Sequence, residues 1–473
     1  TGRIIDYTSS DAGDDEATRE LFRTGRTMGV FYTESPASRQ LSAKSRADTF
    51  DLLVLNTSII RPASNRYIRI YLERLHGMPY EPLDDSLRDT LAETFGVMVY
   101  QEDVVNVCAA FAGMPLAVAD GLRKALSKKR PAKQLAAYAG EFFAGAERLE
   151  RDIERTKKVW AMIMSFAGYS FCKGHSASYI QVAQHSCYLR AHYPAEFMAG
   201  VLANGGGFYH PFAYVAEAMR MGLTVRAPDV NASNERCTGR ESELRIGLQF
   251  IKGLSADAIA RLQDKRPFTS VFDLRLRTGI APDDLRLLIK VGAVDSIAGG
   301  WTRPMLLWLV DSGGPQGGDW FDSMPPSVPV LKEYASERRQ REEYAALGFI
   351  TTTHPMRLHD GLLARLRLCR SDALAKHIGR NVVCAGLLTT AKPVHTEQDE
   401  PMEFATFDDG HGLIETVLFP DLYRRRAHVL FDQGPFVFRG LVQEEFGAIT
   451  MAITHLERLE RVTAAKPAIR AGA

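Results

Sequence analysis

The chain has 473 residues, of which 45% are hydrophobic and 24% charged, an ordinary composition for globular domains. At ~150 residues per domain, this length predicts about three domains. The 58 basic and 57 acidic residues nearly cancel, so net charge indicates no class of partner, and attraction to nucleic acid must come from local patches. Six scattered cysteines without a C-x-x-C spacing argue against a disulfide framework or a zinc site and favour a reducing cytoplasm. No apolar run reaches the ~18–20 residues of a membrane span, and no signal peptide is visible.

The N-terminal half reads as mostly helical. DAGDDEATRELF (11–22) predicts a helix capped by Asp14 or Asp15, and GVFYTES (29–35) predicts a short buried strand followed by a turn. From about residue 50 to 225, apolar residues recur at helical spacing, and most segments end in Gly or meet Pro.

The C-terminal half changes character. LRIGLQFIKGLSADAIARL (244–262) and LRTGIAPDDLRLLIKVGAVD (276–295) share an apolar turn with glycine before a short helix, which predicts two helix-hairpin-helix units. A Gly/Pro/Ser-rich stretch (311–329) predicts a linker. From 380 to 460, five strands with a helix-like insert, PDLYRRRAHVLF, predict a small closed barrel such as an OB-fold. The fold class is therefore multidomain α+β.

A basic segment, GLRKALSKKRPAK (121–133), carries Arg123, Lys124, Lys128 and Lys129 on two adjacent ridges of a predicted helix. Such a face can grip phosphate oxygens and would bind nucleic acid in a salt-dependent way. The structural alternative, a solvated surface face, stays open.

The stretch FCKGHSASYI (171–180) places a cation and several hydrogen-bonding side chains where a helix begins. Lys173 supplies a point charge and His175 a donor, while Ser176 or Ser178 is expected to cap the helix and leave N–H groups for an anion. Phe171 and Tyr179 offer faces for stacking, and together these residues describe a phosphate or nucleotide pocket. A structural histidine and a merely exposed lysine remain the alternatives.

Carboxylates suited to hold two metal ions are not found in the sequence. Asp408 and Asp409 beside a glycine read as a turn, and Asp283 and Asp284 read as a helix cap. Neither G-x-x-x-x-G-K-[ST] nor G-x-S-x-G occurs.

Several motifs together carry a family resemblance. They are, in order, RP…NRYI, FGVMVYQEDV, ADGLRKALSKK, FAGYSFCKGHSASYI, LRAHYPAEFMAGVLANG, RAPDVNAS and IGLQFIKGLS. In this order they resemble the bacterial C-family DNA polymerase III alpha subunit, in its replicative or error-prone type, from about residue 10 to 460. The implied domains are the end of the palm (1–50), a mostly helical fingers domain (51–225), a tandem helix-hairpin-helix region (226–300), a linker with a possible clamp-binding peptide (301–335), a helical connector (336–378), the OB-fold (379–460) and a tail (461–473).

The departures from the family limit what the resemblance implies. Its phosphoesterase-like domain and the palm segment with three metal-binding aspartates have no counterpart here, and the first residue is Thr rather than Met. The resemblance implies Mg²⁺ for the complete enzyme, with ligands that are not in this chain. The implied chemistry is phosphoryl transfer, in which a primer 3′-hydroxyl attacks the α-phosphate and pyrophosphate leaves.

The resemblance also implies roles for individual residues. The residues implied in nucleotide binding are Arg61, Arg123, Lys124, Lys173, His175 and Ser176. The residues expected to contact DNA are Lys128, Lys129, Lys252 and Gly253, and those of a degraded sliding-clamp peptide are Gln316, Trp320 and Phe321. Two motifs depart from the family pattern, since R-P-A-S stands where R-P-G-P is usual and Gly174 replaces a serine.

The expected partners are primer-template DNA, deoxynucleoside triphosphate, the sliding clamp and other holoenzyme or translesion proteins, without a membrane. Aromatic residues of the barrel, namely Phe404, Phe407, Phe436 and Phe438, are candidates for stacking on single strands, although alternate strand residues also build a core. The alternative function is a non-catalytic DNA- and clamp-binding module, a split or decayed polymerase homologue.

Overall fold

The structure is a computed structural model that describes residues 5–6, 12–60, 65–127, 132–165, 171–312, 328–396 and 398–464. The chain packs as two compact units. The N-terminal unit comprises residues 4–188 with 445–448, and the C-terminal unit comprises residues 1–3, 189–444 and 449–473. Within the described ranges, none of the helices is both long and apolar enough to cross a membrane.

The N-terminal unit is helical, as its apolar periodicity predicts. Its helices are α1 (Glu16–Arg23), α2 (Pro36–Ser45), α3 (Phe50–Ile59), α4 (Asn65–Leu75), α5 (Gln101–Ala112), α6 (Leu116–Ser127), α7 (Ala132–Arg148), α8 (Ile153–Ser165) and α9 (Lys173–His192), of which α9 runs on into the C-terminal unit. The buried faces of α5, α6, α7 and α8 form a continuous apolar core, in which the rings of Phe111 and Phe142 stack 5.7 Å apart. This core positions α5 and α6, which both contribute residues to the candidate site.

Two N-terminal predictions have different outcomes. Asp15 caps α1 as expected, because its carboxylate accepts the Thr18 N–H at 2.8 Å. The strand predicted at GVFYTES is wrong, since the segment forms turns and Tyr32 has a φ of 67°, outside the β region. The apolar run misled because Val30 is buried in a turn rather than in a sheet.

The C-terminal unit begins with helices and a small sheet. The sheet consists of β1 (Thr224–Arg226), β2 (Thr238–Arg240) and β3 (Glu243–Arg245), with β3 parallel to β1 and antiparallel to β2. The helices are α10 (Pro194–Asn204), α11 (Pro211–Arg220), α12 (Ala256–Lys265), α13 (Val271–Thr278), α14 (Pro282–Val291), α15 (Arg303–Ser312), α16 (Ser336–Leu347), α17 (Asp360–Leu363), α18 (Pro420–Arg426) and α19 (Leu459–Ala464).

The two predicted hairpin units differ in regularity. In the second, α13 and α14 flank a turn at Gly279, whereas the first begins with only a 3-10 turn, Leu248–Phe250, before α12. The start of α12 is tied to α14, because Asp284 accepts hydrogen bonds from the Ser255 N–H (3.1 Å) and hydroxyl (2.9 Å). Asp284 lies in the first turn of α14 and therefore joins the two hairpin units. The predicted helix cap is wrong for α14, because its N-cap is Ala281 and no side chain caps it.

The predicted barrel is confirmed. Its strands are β4 (Asn381–His395), β5 (Pro401–Asp408), β6 (Leu413–Leu418), β7 (Phe436–Glu445) and β8 (Ala448–Arg458), closed in the order β4-β5-β6-β8-β7. Helix α18 lies between β6 and β7, where the sequence predicts an insert, and the barrel is consistent with an OB-fold. The multidomain α+β class is therefore confirmed, whereas the exact domain boundaries stay predictions.

The barrel aromatics divide between core and surface. Phe407, Phe436 and Phe438 are fully buried in the barrel core, which removes them as stacking candidates. Phe404 points outward and is 45% exposed. Alternation along a strand explains the difference, because Phe404 and Phe407 lie an odd number of residues apart on β5.

Candidate phosphate-binding site

The starts of α5 and α9 lie side by side in the N-terminal unit. Tyr100 and Phe171 form an isolated parallel β-bridge, and the Gln101 N–H donates to the Phe171 carbonyl at 2.8 Å. Tyr100 immediately precedes α5, and Phe171 lies two residues before the start of α9, so two helix N-termini lie close together. Helix N-termini carry partial positive charge, which favours an anion there, although the first N–H groups of α5 and α9 already donate to Phe171 and Glu102.

Asp103 holds the backbone that leads into α5. Its carboxylate accepts the N–H groups of Val99 at 2.7 Å and Tyr100 at 2.8 Å, and its side chain is buried. Burial raises the pKa of Asp103 to about 6, against the two backbone hydrogen bonds that favour the charged form. The anchor of this helix start is therefore a carboxylate that titrates near neutral pH.

Replacing Asp103 with asparagine is expected to change how stability depends on pH. The folded pKa of Asp103 is raised, so its contribution is fully present below the unfolded value of ~3.9 and is lost as pH rises through about 6. The difference in free energy of unfolding between the wild type and Asp103→Asn should therefore change by about 2 kcal/mol between pH 4 and 6.5. Urea unfolding at a series of pH values measures it, and parallel curves would contradict the assignment.

Arg123 of α6 contacts this helix start, and Arg123 and Lys124 share one carboxylate. The Arg123 guanidinium donates to the Gln101 side-chain oxygen at 2.9 Å and to Asp120 at 2.8 Å. The Lys124 ammonium lies 2.7 Å from the other oxygen of Asp120. Arg123 is partly buried by these contacts, whereas Lys124 is exposed. Both cations are therefore paired with Asp120, and their contact with phosphate stays a prediction.

Lys173, the first residue of α9, also contacts residues at the start of α5. Its ammonium donates to Glu93 at 2.7 Å and lies 5.3 Å from the centre of the Tyr100 ring. Its backbone N–H donates to Glu102 at 3.3 Å. Arg123 thus contacts Gln101 while Lys173 contacts the residues on either side of it. The two cations that the sequence assigned to one pocket converge on residues 100–102.

His175 belongs to a row of aromatic rings beside Lys173. Its ring lies 4.2 Å from Tyr179 and 5.4 Å from Phe171, and Tyr179 contacts Phe31 at 5.2 Å and Tyr32 at 5.0 Å. We call these five residues the aromatic row. The sequence singled out three of them and missed Phe31 and Tyr32, because the segment that carries them was predicted to be a strand.

Ser176 is buried, unlike its neighbour His175. Its hydroxyl accepts from Ser58 at 2.7 Å and contacts the Tyr32 hydroxyl, whose pKa is raised by burial. The prediction that Ser176 or Ser178 caps the helix is wrong, because α9 begins at Lys173 and both serines lie inside it. In the structure Ser176 links α9 to α3 through Ser58 and to the aromatic row through Tyr32. Its contact with a nucleotide stays a prediction.

The first hairpin turn carries Lys252 and Gly253, both exposed. The Lys252 N–H donates to the Ala346 carbonyl at 3.0 Å, so that amide is already used to join the turn to the end of α16. Gly253 has a φ of 86°, and its N–H makes no hydrogen bond to any residue that the structure describes. Of the two predicted contacts, Gly253 has the open backbone donor and Lys252 contributes its side chain.

Other predicted site residues lie outside the described residues. They are Arg61, Lys128, Lys129, Gln316, Trp320 and Phe321. Across the described ranges, no group of three or more His, Cys, Asp or Glu is arranged to hold a metal ion. The described residues therefore do not fit the Mg²⁺ site that the resemblance implies for the complete enzyme.

Comparison with known proteins agrees with the motifs. Residues 2–150 match the family model of the bacterial DNA polymerase III alpha subunit finger domain, and residues 222–304 match a helix-hairpin-helix motif. An error-prone DNA polymerase of Symbiobacterium thermophilum is 28% identical, over 96% of this chain and 47% of the relative. DNA polymerase III alpha subunits of Saccharopolyspora erythraea and Bacillus subtilis are 30% and 27% identical, over 93% and 98% of this chain. The chain spans 40% and 43% of the length of these two relatives.

Proposed function

Since the chain belongs to the bacterial C-family DNA polymerases, as a portion of one, we propose that it holds the incoming deoxynucleoside triphosphate and the DNA for a DNA-directed DNA polymerase. The observation that carries this proposal is the convergence of Arg123 and Lys173 on residues 100–102, at two adjacent helix N-termini. The relatives are named DNA polymerases, which does not favour the alternative of a non-catalytic module.

The chain's own residues position and neutralise the nucleotide. Arg123, Lys124 and Lys173 bind the triphosphate oxygens, and the N–H groups at the starts of α5 and α9 add partial positive charge. The aromatic row lies next to Lys173 and provides apolar faces for the nucleoside. Holding the triphosphate in one orientation lowers the entropic cost of the reaction at the α-phosphate.

The C-terminal unit contributes the proposed DNA contacts. We propose that the first hairpin turn binds DNA phosphates through the Gly253 N–H and the Lys252 side chain, without reading bases. Phe404 is the barrel aromatic that remains open to stack on a single strand. A sliding clamp is the proposed partner of residues 316–321, and replicative or translesion proteins are further candidates.

Binding measurements test the nucleotide site. Arg123→Ala and Lys173→Ala should each weaken binding of a deoxynucleoside triphosphate about tenfold, because each removes a charge-assisted hydrogen bond to phosphate. Isothermal titration of the full chain at fixed ionic strength measures the affinity, and duplex binding by fluorescence anisotropy should change less.

A matched control is Lys157→Ala, which removes an exposed lysine of α8 that pairs with Glu154 in the same unit. This variant changes the net charge by the same amount and should leave nucleotide affinity within about twofold of the wild type. Equal losses of nucleotide and duplex binding in the two site variants, or no loss, would remove the pocket assignment.

A further inference from the structure

Asp120 occupies a position on α6 from which it contacts two predicted phosphate-binding cations at once. Residues three and four apart face each other on a helix, so Asp120 meets both Arg123 and Lys124. One carboxylate oxygen accepts from Arg123 at 2.8 Å, and the other lies 2.7 Å from Lys124. The hydrogen bonds from Lys124 and Arg123 lower the pKa of Asp120, which keeps its carboxylate charged at neutral pH.

We propose that Asp120 is an internal competitor of the phosphate group, which holds Arg123 and Lys124 in the ligand-free chain and releases them when a polyphosphate binds. This inference rests on the proposed nucleotide site and adds a residue that sets its affinity. The carboxylate presents two oxygens to the two cations, the same arrangement that two phosphate oxygens would present.

The exchange is feasible because the pair is accessible to water. The side chain of Asp120 is 36% exposed and that of Lys124 is 63% exposed, and ion pairs at such positions are weak because solvent screens them. Arg123 also keeps a hydrogen bond to Gln101 that does not involve Asp120. The guanidinium therefore stays oriented while its partner changes from carboxylate to phosphate.

Lys173 is paired with a carboxylate in a similar way. Lys173 is held by Glu93 through a 2.7 Å contact between side chains that are 38% and 51% exposed. Each side of the site thus pairs its cations with a carboxylate in the absence of ligand. Binding a polyphosphate replaces these carboxylates, so part of the binding free energy is spent on releasing them.

The test measures binding of inorganic tripolyphosphate to the full chain by isothermal titration. Asp120→Asn should bind about fivefold more tightly than the wild type, since the amide no longer competes as an anion. Asp120→Glu keeps the charge and should restore affinity to within about twofold of the wild type. Glu154→Gln, which neutralises a carboxylate paired with Lys157 on α8, is the control for the change in net charge.

The outcomes separate this inference from the proposed function. Unchanged or weaker binding by Asp120→Asn, while Arg123→Ala still loses affinity, overturns the competitor role and leaves the nucleotide site standing. An equal gain in affinity for Glu154→Gln also overturns the competitor role. The effect would then reflect a general electrostatic attraction of the anion to a less acidic chain. If Arg123→Ala binds tripolyphosphate as well as the wild type, the nucleotide site fails and the competitor role fails with it.

Discussion

Replacing Asp408 with alanine is expected to lower the free energy of unfolding by about 3–5 kcal/mol, because it removes the fully buried carboxylate that pairs with Arg220. Asp408 is fully buried at the end of β5. Both of its oxygens accept from one Arg220 nitrogen of α11, at 3.1 and 2.9 Å, and the His354 ring nitrogen lies 3.4 Å away. The substitution removes the negative charge of the barrel that pairs with Arg220 of α11.

The measurement is urea unfolding of the whole chain, followed by circular dichroism and compared with the wild type. The matched control is Glu400→Ala, which breaks an exposed ion pair with Arg424 in the same barrel and should cost less than about 1 kcal/mol. A loss below about 1 kcal/mol for Asp408→Ala would show that Arg220 finds another partner, for example Glu217, which already accepts from it at 3.1 Å.

The contacts of Asp408 with Arg220 and His354 show which features of the fold sequence periodicity does not predict. The sequence places Asp408 and Asp409 at a turn beside Gly410, and Asp409 does close that turn by accepting the N–H groups of His411 and Gly412. The burial of Asp408 could not be predicted, since Arg220 lies 188 residues earlier in the chain. Local pattern predicted the end of the strand, and tertiary packing decided which of two adjacent carboxylates became buried.

In the candidate site too, some contacts follow from local sequence spacing and others depend on tertiary packing. Asp120 stands three and four residues before Arg123 and Lys124, so the pairing follows from helix geometry alone. Gln101 and Glu93 are 22 and 80 residues from the cations they meet, and no spacing rule connects them. The basic residues were therefore predictable as a group, whereas their carboxylate and amide partners required the fold.

The barrel strands were predictable because they are short runs of β-branched, apolar and aromatic residues bounded by turn residues. The failure at GVFYTES arises because a run of apolar residues without alternation does not distinguish a buried turn from a strand. Tyr32 takes a positive φ there, and the turn brings Phe31 and Tyr32 to Tyr179 of α9. The aromatic row therefore depends on a backbone conformation that β propensity argues against.

Phe438→Ala is expected to destabilise the chain by about 3–5 kcal/mol, because it opens a cavity in the barrel. The Phe438 ring is fully buried and stacks on Phe407 with centroids 4.4 Å apart. Phe404→Ala is the matched control: it removes the same side chain from β5 at a position 45% exposed, and should cost about 1 kcal/mol or less. Urea unfolding measures both variants.

The variants Phe404→Ala and Phe438→Ala also separate the effect on stability from the effect on nucleic-acid binding. If Phe404 stacks on a base, Phe404→Ala should weaken binding of a single-stranded oligonucleotide by roughly 1–3 kcal/mol while the barrel stays folded. Phe438→Ala should weaken that binding only because part of the barrel is unfolded. The loss of affinity should therefore disappear at a lower temperature at which the variant is folded. Undiminished binding by Phe404→Ala would remove the aromatic contact from the barrel surface, and equal stability of the two variants would contradict the core assignment.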